Sequence, residues 1–266
     1  MPADQVPSAR KGGIRILVFS DKGSLGRAAS RRVAAAIAEA VEARGAANVV
    51  FATGASQYEF LAALRETEVR WERVTAFHLD EYLGLSAEHP ASFRRFLRER
   101  LFDLLPFAAV HLLEGDASEP EVEAARYEAL LRGVCIDVAC IGIGENGHLA
   151  FNDPPADFES PRLVNVVTLD RACRMQQVGE GHFAGLEDVP RQALSLSIPA
   201  ILSARIISCV APDRRKAEAV RAALEGPVTP TCPASALRRH GEVYLYLDQA
   251  SASLLSPGFL GSASQG

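Results

Sequence analysis

The sequence predicts an α/β fold: a single domain of three layers, built on a doubly wound, mostly parallel sheet with helices on both faces. Three observations lead there. Short apolar, β-rich runs recur along the chain, stretches of helical periodicity separate most of them, and no linker rich in proline, glycine or serine divides the 266 residues. Strands that alternate with helices are joined by crossovers, which make neighbouring strands parallel and cover both faces of the sheet.

In chain order, residues 1–13 are polar, carry Pro2, Pro7 and Gly12-Gly13, and read as a disordered tail without the apolar core of a secretion signal. Ile14–Phe19 is the first strand. Leu25–Ala43, with Ala, Val and Ile at spacings of three and four, is the first helix. Asn48–Ala52, Val74–Leu79 and Ala109–Leu113 read as strands, with short helices at Tyr58–Leu64 and Phe93–Leu104 between them. Glu119–Leu131 begins behind Ser-Glu-Pro, a helix-start signal. Ile136–Ile141 is an apolar run of the kind a strand buried on both faces shows. Leu163–Val167 is a strand inside an irregular segment, 152–190, whose polar, glycine-bearing composition suits a mobile lid and an ordinary surface excursion equally. Strand Ile206–Val210, helix Asp213–Leu224 and strand Val243–Leu247 complete the domain, 14–255, and 256–266 reads as a flexible tail.

Composition narrows the function classes. With 48% hydrophobic residues, 23% charged residues and a net charge of −5, the chain has a globular profile and no block of Lys and Arg to follow a nucleic acid. It has no apolar stretch of the roughly 18 residues that a membrane span needs. The five cysteines are widely spaced, form no C-x-x-C and do not cluster with histidine at zinc spacing. They read as free buried thiols of a reducing compartment, so the expectation is a cytoplasmic protein with no metal, no nucleic acid and no membrane partner. A homo-oligomer is allowed, but nothing in the sequence specifies one.

Ligands of open α/β sheets bind outside the carboxyl ends of the strands, so the residues after each strand are the place to look for a site. After Asn48–Ala52 comes Thr53-Gly54-Ala55-Ser56, small residues entering a helix, where free N–H groups and the helix dipole favour an anion such as phosphate. A plain helix cap by Ser56 explains that loop as well. After Val74–Leu79 comes Asp80-Glu81-Tyr82, two acids at a strand end, with a helix-capping Asp as the competing explanation. After Ile206–Val210, Lys216 falls in the first turn of a helix, where the dipole disfavours a cation unless it faces solvent or balances an anion.

The fourth loop, Gly142-Ile-Gly-Glu-Asn-Gly-His-Leu-Ala-Phe-Asn-Asp153, contains a G-x-G-x-x-G match at Gly142, Gly144 and Gly147. A dinucleotide fingerprint should open a long helix and be followed about 20 residues on by an acid. Here Pro154 and Pro155 cut the segment short. What remains is a low-bulk loop carrying His148, with Asn146 and Asp153 as groups able to orient it. An acid/base histidine and a structural one are both compatible with this loop alone.

Taken in order, Thr53–Ser56, Phe77-His-Leu-Asp-Glu-Tyr-Leu-Gly84 with His89-Pro-Ala-Ser-Phe93, the 142–153 loop, and Val189-Pro-Arg-Gln-Ala-Leu194 with Lys216-Ala217 resemble the glucosamine-6-phosphate deaminase (isomerase) family over nearly the whole chain. The related 6-phosphogluconolactonases share the Gly-x-Gly…Gly-His loop, but Ala150-Phe-Asn-Asp153 and Asp80-Glu-Tyr82 look like the deaminase side. The resemblance implies a modified Rossmann-like fold and a phosphorylated amino sugar as substrate, converted to a ketohexose phosphate and ammonia without redox cofactor or metal. It casts Asp80 as the base that moves a proton from C2 to C1, His148 as the ring-opening group, and Thr53, Gly54, Ala55, Ser56 and Lys216 as the phosphate site.

Two departures from the family pattern stand out. The family's histidine is paired with an Asp two residues earlier and a Glu five later, where this chain has Asn146 and Asp153, with Glu145 nearby to compensate. A lid arginine is expected near residue 180, where Glu180-Gly-His-Phe183 stands instead, leaving Arg174 and His182 as candidates for the phosphate. These changes are compatible with a variant subfamily, another epimer such as galactosamine phosphate, or slower ring opening. The alternatives are a lactonase and a non-catalytic sugar-phosphate sensor. The stretch before Ile14 is too short for a helix-turn-helix, and a sensor has no need of Asp80, His148 and Asp153 together.

Overall fold

The computed structural model describes residues 5–179, 181 and 183–261. Its strands are β1 (Gln5–Lys11), β2 (Ile14–Phe19), β3 (Ala47–Phe51), β4 (Val74–His78), β5 (Asp80–Tyr82), β6 (Ala109–His111), β7 (Val138–Ile141), β8 (Val164–Thr168), β9 (Gln192–Leu196), β10 (Ile206–Val210) and β11 (Val243–Asp248). Its helices are α1 (Lys22–Arg44), α2 (Tyr58–Arg65), α3 (Phe93–Leu97), α4 (Pro120–Arg132), α5 (Arg171–Gly179), α6 (Ile198–Leu202), α7 (Ala217–Glu225) and α8 (Pro257–Gly261). The main sheet has eight strands in the order β1-β2-β11-β10-β7-β3-β4-β6. All its pairings are parallel except that of β1 with β2.

The central strands are buried on both faces, and their residues alternate between two cores. Val138 and Cys140 of β7 join the apolar cluster under α1, with Leu25, Val33, Ile37 and Val41. Ala139 and Ile141 join the opposite cluster, with Tyr127 and Leu131 of α4 and Val220 and Leu224 of α7. This is the three-layer arrangement that the apolar run at 136–141 calls for. Asp21 caps α1 by accepting a hydrogen bond from Ser24 N–H at 2.8 Å, and Gly45 ends the helix in the left-handed conformation at φ 78°. No helix among the described residues is long and apolar enough to cross a membrane.

The structure departs from the sequence reading at the tails and in the irregular segment. Gln5–Lys11, expected to be part of a disordered tail, pairs antiparallel with β2 at the sheet edge. At the other end, Pro257–Gly261 forms α8, whose Phe259 packs on the core, while residues 262–266 lie outside the described residues. Segment 152–190 contains β8 and α5. With β5 and β9, β8 makes a second, antiparallel sheet in the order β5-β9-β8. Its apolar side holds a third cluster around Tyr82, Phe93, Phe151, Cys173 and Phe183. Phe93–Leu104 becomes α3 followed by one π-helical turn at Arg98–Phe102. Four cysteines are buried and Cys135 is exposed; all five are free thiols.

Candidate active site

The four loops singled out above follow β3, β4, β7 and β10, which are neighbours in the sheet. They surround one solvent-open cleft, lined by Thr53, Gly54, Ala55, Ser56, Asp80, His148 and Lys216.

His148 enters the cleft from the glycine loop. Its Nδ1 lies 3.1 Å from Asp153 Oδ1, so the carboxylate can fix the tautomer and orientation of the ring. Asn146 plays a different part from the one its position suggests. Its side-chain amide donates to Asp153 Oδ1 at 3.1 Å, and its carbonyl oxygen accepts from the backbone N–H of His148 at 3.0 Å. It therefore holds the carboxylate and the loop, while Asp153 alone of the two holds the ring. Burial opposes the charge on Asp153. The hydrogen bond and electrostatic influence of His148, the Asn146 amide and Asp170 N–H outweigh burial and keep the carboxyl below its ordinary value. Gly144 makes room for the imidazole: a Cβ there would lie 2.2 Å from His148 Nε2. The loop is braced from beneath, with Asn152 donating to Leu149 O and Leu196 O, each at 2.8 Å.

Asp80 stands where the chain crosses between the sheets. Leu79 N–H still donates to Phe51 O of β3, and Leu79 O already accepts from Leu196 N–H of β9. Asp80 begins β5 and does not cap a helix. Only 6% exposed, it has its carboxyl pushed well above the ordinary aspartate value, first by burial and second by the charge of Glu81. Glu81 is structural. It accepts hydrogen bonds from Ser92 Oγ and the backbone N–H groups of Phe93 and Arg94 at 2.8–3.1 Å, tying β5 to the start of α3.

The other end of the cleft suits an anion. Gly54 adopts φ 97°, a conformation that glycine reaches freely, and turns the chain into the helical turn Ala55–Gln57 ahead of α2. Ser56 is not a helix cap; its oxygen accepts from Gln57 Nε2 at 3.1 Å. Lys216 is buried and lines the same cleft. Two cations that sequence reasoning missed stand at the rim. Lys22, from the start of α1, pairs with Asp213 at 3.3 Å, and Arg215 pairs with Glu145 at 3.3 Å.

Arg174, expected on the phosphate, is not among the lining residues. Its guanidinium donates to the carbonyls of Leu186 and Val189, the latter at 3.1 Å, and so pins the turn after α5. His182 lies outside the described residues. The side chains of α5 that do reach the cleft are Gln176 and Gln177, and Phe93 and Phe151, stacked with centroids 5.7 Å apart, also line it. His148, Asp153 and Cys173 place their donor atoms within 4.8 Å of one another, a set with metal-ligating chemistry. The imidazole–carboxylate hydrogen bond uses two of the three, and burial, followed by Asp153, pushes the Cys173 thiol pKa up and keeps it protonated.

The sequence profile described as "Glucosamine-6-phosphate isomerases/6-phosphogluconolactonase" matches residues 20–245. The chain is 42% identical over 205 residues to a glucosamine-6-phosphate deaminase of Exiguobacterium sibiricum, covering 77% of this chain and 80% of the relative. It is 39% identical over 220 residues to one of Bacillus thuringiensis, covering 83% and 82%. Among solved structures, a monomeric glucosamine-6-phosphate deaminase superposes with a TM-score of 0.84 at 32% identity, covering 90% of this chain and 99% of that one. A 6-phosphogluconolactonase of Shewanella baltica gives a TM-score of 0.73 at 21% identity over 88% of this chain and 96% of its own, a likeness of fold.

Proposed function

The chain belongs to the glucosamine-6-phosphate isomerase/6-phosphogluconolactonase family, and from that premise we propose that it is a glucosamine-6-phosphate deaminase. It converts glucosamine 6-phosphate and water to fructose 6-phosphate and ammonia. The observation that carries this reading is the convergence, in one cleft, of a buried carboxylate, a carboxylate-held histidine and a cationic anion cradle.

The phosphate binds at the 53–56 turn against Lys216, with Arg215 and Lys22 adding charge at the rim, and this fixes the far end of the sugar while C1 and C2 react. His148 opens the ring by moving the proton of the anomeric hydroxyl to the ring oxygen. Asp153 stabilises the imidazolium between the two transfers, and Asn146 keeps that carboxylate in place. Asp80 takes the C2 proton of the open aldehyde, leaving an enolamine, and returns it to C1. C2 is then a ketimine; water adds to it and the nitrogen leaves as ammonia.

The raised pKa of Asp80 serves this step. A base is most effective when its pKa lies near the working pH, and the ammonium at C2 of the arriving substrate favours the carboxylate at the moment it is needed. The reading is tested by an ammonia assay over hexosamine 6-phosphates, with 6-phosphogluconolactone as comparison. Ammonia from glucosamine 6-phosphate is expected. Hydrolysis of the lactone with no ammonia from any amino sugar overturns the reading.

A further inference from the structure

We infer that Gln177 is a specificity-determining residue, its side-chain amide reading a hydroxyl on the carbon chain of the bound sugar phosphate; the inference rests on the sugar-phosphate reading above. The first turn of α5 is docked behind the catalytic histidine. Asp170 N–H donates to Asp153 Oδ2 at 3.4 Å, and Asp170 Oδ1 in turn accepts from Cys173 N–H at 2.6 Å. Gln177 lies four residues beyond Cys173, on the same side of the helix. It is 6% exposed and lines the cleft with Asp80 and His148.

The neighbouring side chains on α5 are accounted for. Arg174 is spent on the carbonyls of Leu186 and Val189, Met175 is exposed, and Gln176 accepts from Glu145 N–H at 3.2 Å. Gln177 makes no hydrogen bond to any described residue. A primary amide offers two donors and an acceptor. The amide atoms of Gln177 are not among the fully buried side-chain atoms that lack a partner, so they reach the solvent of the cleft, and a ligand that displaces that water must supply the partner itself. A hydroxyl, both donor and acceptor, matches an amide. A site built to hydrogen-bond a hydroxyl also rejects analogues that misplace it, because the amide is then left buried and unpaired.

The near-isosteric Gln177→Met separates a ligand-reading role from a structural one. Without ligand, its Tm is expected to equal or exceed that of the wild type. Its KM for glucosamine 6-phosphate is expected to rise at least tenfold, and its preference over galactosamine 6-phosphate to narrow. Binding is read separately as the rise in Tm with fructose 6-phosphate, which is expected to shrink in the variant while the rise with inorganic phosphate persists. A lowered Tm with unchanged KM, or an unchanged response to fructose 6-phosphate, overturns the inference. A wild-type protein that binds fructose 6-phosphate but releases no ammonia refutes the deaminase reading and leaves the binding comparison to decide Gln177.

Discussion

Replacing Gly144 by alanine tests whether the position of the His148 ring matters to turnover. The new Cβ would lie 2.2 Å from Nε2, 2.3 Å from Cδ2 and 2.4 Å from Cε1 of His148, where ordinary contact begins at 3.4 Å. The ring must therefore retreat by about 1 Å, which shifts Nε2 in the cleft and disturbs the 3.1 Å alignment of Nδ1 with Asp153. Backbone strain does not contribute, because Gly144 is not among the residues with positive φ. A displacement of about 1 Å costs on the order of 10²-fold in rate, and loss of oriented acid–base catalysis 10² to 10⁴-fold. Overpacking costs roughly 1–3 kcal/mol, a Tm lowered by a few degrees for each kcal/mol in a chain of this size. Gly144→Ala is thus expected to fold, to keep a KM within a few fold of wild type, and to lose about 10² to 10³ in kcat for ammonia release. A kcat within threefold of wild type refutes the argument that ring position matters.

The two cations proposed from sequence for the phosphate should separate cleanly. Lys216→Met is expected to raise KM by about tenfold or more through loss of a charged partner for the phosphate. Arg174→Met is expected to lower Tm through the released turn at 186–189 and to leave KM near wild type. His78 gives a pH signature. It is fully buried, neither ring nitrogen has a hydrogen-bond partner, and burial, followed by the charge of Arg94, lowers its pKa from 6.5 to about 3. The unfolded chain takes up this proton below pH 6.5 and the folded one only near pH 3, so stability falls with acid between those values. Its slope there is about 1.4 kcal/mol per pH unit for one proton. His78→Leu is expected to remove that slope from urea titrations across the window; an unchanged slope contradicts the assignment.

The main sheet was legible because burial on both faces writes itself as apolar runs, and Ile14–Phe19 and Ile206–Val210 match their strands end to end. The second sheet was not. Its strand Asp80–Tyr82 carries two acids, and Gln192–Leu196 has no clean alternation because Ala193, Leu194, Ser195 and Leu196 are buried on both faces. The N-terminal strand is polar and sits at an edge, where backbone pairing asks little of side chains. Within the site, residues borne directly on strand ends were readable, since the fold class alone places those ends together. Lys22, Arg215 and Gln177 were not readable, because their presence in the cleft depends on how α1, the 211–216 loop and α5 pack. Arg174 and Asn146 take partners that the sequence does not show, for a related reason. A long or bifunctional side chain takes whichever acceptor the tertiary structure brings near, here the carbonyls after α5 and the carboxylate of Asp153.

The central claim is that Asp80 moves the proton between C2 and C1 of an amino-sugar phosphate. The most direct measurement is steady-state ammonia release from glucosamine 6-phosphate by the wild type and by Asp80→Asn, with Tm recorded for both. Asparagine keeps the shape and removes the base, so kcat is expected to fall by about 10² to 10⁴ while KM stays within a few fold and the protein stays folded. An Asp80→Asn variant that releases ammonia at the wild-type rate contradicts the account.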